Sequence, residues 1–136
     1  MRSLIIFFCL FFVESNAQIN EKISFESANP FALSDIITDL ENQKKQDVFG
    51  KLVIPSDSLN DSKKFPLIIA VAGSLGWREH HKEYLDMYQN SGFATFELNS
   101  FESRNIKSTV GSQVEVTTAA IILDAYRAFE KLANHP

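Results

Sequence analysis

The run Pro66-Leu67-Ile68-Ile69-Ala70-Val71-Ala72 constrains this chain more than any other stretch. After the proline, six apolar residues, several of them β-branched, pass without a polar interruption into Gly73-Ser74-Leu75-Gly76. Bounded by proline and glycine, such a run reads as a buried parallel strand that delivers a loop to the mouth of an α/β sheet. A charged, helix-like segment follows from Trp77, and a second strand and helix repeat the unit after Gly92. The expected fold class is α/β: an incomplete, mostly parallel sheet with flanking helices.

Composition bounds what surrounds that strand. At 136 residues, 45% hydrophobic and 12% aromatic, the chain holds one domain's worth of core. A net charge of -4 without a Lys/Arg cluster argues against a nucleic-acid partner. At the N-terminus, Met1-Arg2 is followed by an apolar stretch over residues 4–13 and by Ser15-Asn16-Ala17. This predicts a signal peptide over residues 1–17, cleaved after Ala17, and a secreted or periplasmic mature chain with no membrane association. An uncleaved anchor is the weaker reading, because the stretch falls short of the ~20 apolar residues of a span. Cys9, the only cysteine, lies inside the peptide, so the mature chain has no thiol for disulfides, thiolate catalysis or cysteine-metal sites.

Residues 18–47 read as an N-terminal strand and short helix, and residues 48–136 as the main domain. Ser34 is placed to cap a helix over residues 35–41, and a strand over residues 48–55 carries Gly50, a mark of a bulge or of close backbone approach. Residues 56–64 are a polar surface loop. From Trp77 to Gln89, Trp77, His81, Tyr84, Leu85 and Tyr88 share one helical face, and Gly92 suits the left-handed stop. A strand over residues 93–98 follows. The last helix is expected to open at a capping box, Ser112 with Glu115, and to bury Ala119, Ile122, Tyr126, Phe129 and Leu132, leaving Asp124 largely outside that stripe.

The chemistry centres on the 73–76 loop. Gly73 lets the backbone turn, and the Ser74 amide is placed to donate to a developing oxyanion. Neither the three spaced glycines of a dinucleotide fingerprint nor the Gly-Lys-Ser/Thr of a P-loop is present. Taken alone, the glycine spacing fits a plain strand-to-helix turn equally well.

Residues 48–55, the run from Phe65 into Gly73-Ser74-Leu75-Gly76, Ser91-Gly92-Phe93-Ala94-Thr95-Phe96, Asn99-Ser100-Phe101 with Arg104, and residues 124–136 together resemble the first half of a dienelactone hydrolase-like α/β hydrolase. The resemblance implies an oxyanion loop at Gly73 and Ser74, with Ala72 where that family commonly has histidine. It also implies a motif after the next strand, here with Asn99 in place of aspartate, that sets Asn99 and Arg104 at the substrate cleft. The implied substrate is a small-molecule ester or lactone, with no metal or organic cofactor.

A nucleophile elbow needs Gly-x-Ser-x-Gly or its cysteine equivalent. Two residues after the glycines stand Leu52, Leu75, Arg78, Ala94 and Gln113, so none is present. Nucleophile, acid and histidine are therefore expected beyond Pro136, and the chain to be an N-terminal fragment, inactive as it stands. The alternative is a small non-catalytic α/β binding module whose 73–76 loop holds an anion. Among other candidates, the adjacent His80 and His81 diverge on a helix and do not read as a metal pair. His81 is expected to pack under the sheet, and His135 to serve a helix end. Glu97 reads as a paired strand carboxylate or a cleft residue, and Glu102 with Arg104 as a solvated loop pair.

Overall fold

The computed structural model describes residues 18–55 and 64–135. The signal-peptide reading concerns residues outside that range, as does all but Lys64 of the loop read over residues 56–64. In order the described elements are β1 (Ile19–Ala28), α1 (Leu33–Thr38), β2 (Lys45–Ile54), β3 (Leu67–Val71), α2 (Glu79–Asn90), β4 (Ala94–Leu98) and α3 (Thr118–Ala133), with 3-10 turns at Leu40–Asn42 and Glu102–Arg104.

The strands form one mixed sheet in the order β1-β2-β4-β3. Only β3 and β4 are parallel; β1 with β2 and β2 with β4 are antiparallel, which corrects the expectation of a mostly parallel sheet. The apolar run that announced the fold is also not its centre. β3 lies at one side of the described sheet and is only half-buried, with Val71 43% exposed, whereas β4 between β2 and β3 carries the central positions. β1 pairs with β2 along its full length, from Ile19 opposite Ile54 to Ala28 opposite Lys45. Residues 18–47 thus contribute to the same sheet as β3 and β4.

Alternation along β4 sorts the two faces. Phe96 and Leu98 pack with Ile23, Val48 and Leu52 against Ala128 and Leu132 of α3, forming the core. Complete burial of the Phe96 ring is worth roughly 2–3 kcal/mol. Thr95, on the other face, accepts a 2.7 Å hydrogen bond from Gln89 of α2. Helices therefore cover opposite faces of the sheet. Gly50 is a point of close approach: a Cβ there would stand 2.2 Å from Cζ of Phe96, and the pairing with β1 and β4 runs through residue 50 without a bulge.

Three helix expectations need correction. α1 starts at Leu33 with Ser34 inside it, and the amides of Phe31 and Ala32 are satisfied by the Asp35 carboxylate at 2.9 Å. α3 starts beyond the Ser112–Glu115 box, where Thr117 is the cap and its hydroxyl accepts from the Ala120 amide at 3.0 Å. The buried face of α3 is Ala119, Ala120, Leu123, Asp124, Ala128 and Leu132, while Tyr126 and Phe129 are 68% and 59% exposed. The small Ala120 and Ala128 let the helix backbone approach the sheet, and Asp124 meets a partner inside. α2 buries Leu85 and leaves Tyr84 exposed; it closes as expected, with Gly92 at φ 85°.

Candidate functional site

Because β3 and β4 are parallel and adjacent, their carboxyl ends open on one side, the usual ligand side of such a sheet. A cavity of about 670 Å³ lies there, walled by Ala72, Leu75 and Trp77 after β3 and by Asn99, Ser100 and Phe101 after β4. A larger groove of about 990 Å³ runs between β1 and α3, but no residue of β3 or β4 lines it. Several of its charged groups are paired, as in Lys45–Glu26, Arg127–Glu130 and His135–Glu21.

The loop after β3 is a tight turn. The Gly76 amide donates to the Gly73 carbonyl at 2.8 Å, which places Ser74 and Leu75 at the two central positions. Neither has a positive φ, so the turn is of type I, and Gly76 follows at φ 74°. A side chain at residue 76 would also crowd the Lys107 carbonyl at 3.0 Å. The Ser74 carbonyl is held by two donors from the 105–111 loop, the Thr109 amide at 2.9 Å and the Ser108 hydroxyl at 3.0 Å. Among the described residues the Ser74 amide donates to no protein acceptor. The turn is thus fixed at the Gly73 and Ser74 carbonyls, and among the described residues neither the Ser74 nor the Leu75 amide donates to an acceptor. Ala72, Leu75 and Gly76 line the cavity, whereas Gly73 and Ser74, the residues expected to form the oxyanion loop, are not among its lining residues.

Asn99 lies in the cavity wall, 3% exposed, and its side-chain amide donates to the Glu97 carbonyl at 3.1 Å and the Glu97 carboxylate at 3.2 Å. Next to it, the Ser100 hydroxyl is buried with no hydrogen-bond partner among the described residues. Glu97 combines both readings given for it, since it pairs with Lys51 at 3.4 Å and also lines the cavity.

Arg104 is placed differently from the expectation. It neither lines the cavity nor pairs with Glu102 on the surface. Its guanidinium is inside the protein, where it binds both oxygens of Asp124 at 2.7 and 3.1 Å, with side chains 5% and 0% exposed. It also donates to the carbonyls of Ser100 at 2.9 Å and Ala28 at 3.1 Å and to the Asn29 side chain at 2.7 Å, while the Ser27 hydroxyl donates to Asp124 at 2.5 Å. An exposed loop position would have left five donors to water; the interior offers an acceptor to each of the five.

The histidines have local roles. His81 does not pack under the sheet: its Nδ1 accepts from the Arg78 amide at 3.0 Å, capping the first turn of α2, and its ring stands edge-on to Trp77. His80 is exposed. The His135 amide closes the end of α3 on the Leu132 carbonyl, and its ring meets the Glu21 carboxylate at 3.1 Å. Among the described residues no group of His, Cys, Asp and Glu is arranged to hold a metal ion.

Sequence reading missed Asp124, Ser27, Ser108 and Thr109. One signal for Asp124 was available: Ala120, Leu123, Ala128 and Leu132 form a second apolar stripe, rotated by one residue from the aromatic one, and Asp124 stands beside it. No family model matches the chain, and no curated protein matches it either.

Proposed function

We propose that the chain is the N-terminal part of a secreted or periplasmic α/β hydrolase of the dienelactone hydrolase type, acting on an ester or lactone. The observation that carries the proposal is the turn at Ser74: the peptide group that bears the Ser74 amide is held through the Gly73 carbonyl by Gly76, the next one through the Ser74 carbonyl by Ser108 and Thr109, and the Ser74 amide itself is unused at the carboxyl end of β3. A donor held in place before the reaction needs no reorganisation when charge develops on a carbonyl oxygen, which is the property of an oxyanion hole.

In this reading a nucleophile carried by sequence after residue 136 attacks the substrate carbonyl. The oxyanion is met by the Ser74 amide and by the amide following the nucleophile. The sheet supports the arrangement, because the outer side of β3 pairs with no described strand. A parallel strand arriving after α3 by a right-handed crossover would pair there and set its own carboxyl end beside the 73–76 turn.

The test is to read the transcript past the codon for Pro136. The proposal expects an open frame encoding a strand and Gly-x-Ser-x-Gly or Gly-x-Cys-x-Gly within a few tens of residues. A stop codon, together with a soluble and monodisperse 136-residue product, would instead favour a non-catalytic binding module that uses the same loop.

A further inference from the structure

The cavity wall after β4 is a short irregular turn that a sheet and a helix alone would not hold. Residues 99–106 form it through the Ser103 amide on the Asn99 carbonyl at 3.0 Å and the Arg104 and Ile106 amides on the Phe101 carbonyl at 3.0 and 2.9 Å, with Asn105 at φ 58°. Asn99, Ser100, Phe101, Asn105 and Ile106 of this turn all face the cavity. From inside, the turn is gripped by the Arg104 guanidinium on the Ser100 carbonyl. The same guanidinium grips the end of β1 through Ala28 and Asn29, and α3 through Asp124.

We infer that Arg104, with Asp124 as its counter-ion, is a positioning residue for the cavity at the carboxyl ends of β3 and β4, and makes the shape of the 99–106 wall depend on the docking of α3. The bond pattern requires arginine. Each of its five N–H groups has its own acceptor, and these acceptors lie on segments far apart in sequence. Lysine carries the same charge as three donors on one nitrogen and cannot span them. Removing the Asp124 charge would leave an arginine in the interior without its partner, which is why the two residues act together. The inference concerns the form of the cavity and holds whether it takes an ester or another ligand.

The test uses the chain's single tryptophan. Trp77 lines the cavity, and its indole N–H donates to the Leu98 carbonyl at 3.2 Å, one residue before the turn. In Arg104→Lys, the indole resonance is expected to shift, and the Ser103 and Ile106 amides to exchange at least ~10-fold faster, while amides of the β2–β4 pairing keep their protection. In Asp124→Asn the same signals are expected to move in the same direction and less far. The inference is overturned if a folded Arg104→Lys chain keeps the turn amides and the indole signal unchanged. It is also overturned if turn and sheet amides accelerate in step, which is a plain stability role. Should Arg104→Lys fail to fold, Asp124→Asn decides by the same signals; failure of both to fold makes the pair a requirement of the fold and likewise rejects the positioning role.

Discussion

A methyl group at residue 50 would stand 2.2 Å from Phe96 Cζ and 2.8 Å from the Glu97 carbonyl, so the central ring can lie over β2 only because that position has no side chain. Gly50→Ala is expected to destabilise the chain by about 2–3 kcal/mol in urea unfolding, since neither the ring nor the backbone can yield cheaply. This glycine was legible because a glycine inside a strand has few physical explanations. Arg104 was not legible, because its role depends on Asp124, Ala28 and Asn29, which only the folded topology brings near. A local reading pairs an arginine with its neighbour Glu102; burial favours the partner that can be desolvated with it. Ser74 lies between these cases. The glycines around it predict a turn, but the locking of its carbonyl by Ser108 and Thr109 is a tertiary fact.

Helix ends show the same division at the scale of elements. Ser112-Gln113-Val114-Glu115 has the spacing of a capping box, yet α3 begins at Thr118 and Thr117 caps it, because the Thr117 hydroxyl also donates to the Pro30 carbonyl at 2.6 Å and ties the helix start to the segment after β1. Thr117→Ala is therefore expected to lower stability by about 1 kcal/mol or somewhat more in thermal unfolding, whereas Ser112→Ala should change it by less than ~0.5 kcal/mol. Equal effects would return the cap to Ser112. The period of α3 was readable and its phase was not. Aromatic residues outweigh alanines in any hydrophobicity count, but a helix packed closely on a sheet places its alanines inward, and Tyr126 and Phe129 stay outside.

For the whole molecule, the strand-helix alternation predicted an α/β sheet, and the chain forms a four-stranded mixed one with helices on both faces. Strand order was beyond reach, since an apolar run looks alike in a central strand and in one whose outer side pairs with no described strand. β3 has no charged residue to discourage pairing along that side, and Val71 is exposed. The 136-residue chain is thus expected to associate with rising concentration, and Val71→Lys to reduce light scattering without changing the circular dichroism; scattering unchanged by the lysine would place the association elsewhere. The central claim is that the Ser74 amide stabilises an oxyanion, and proline tests it cleanly. At the first central position of a type I turn proline is favoured, so Ser74→Pro removes the N–H and keeps the turn. In the longer hydrolase that the proposal requires, Ser74→Pro should lower kcat for p-nitrophenyl acetate by ~10²–10³-fold, with KM little changed. A Ser74→Pro enzyme that keeps the parent kcat would contradict the account.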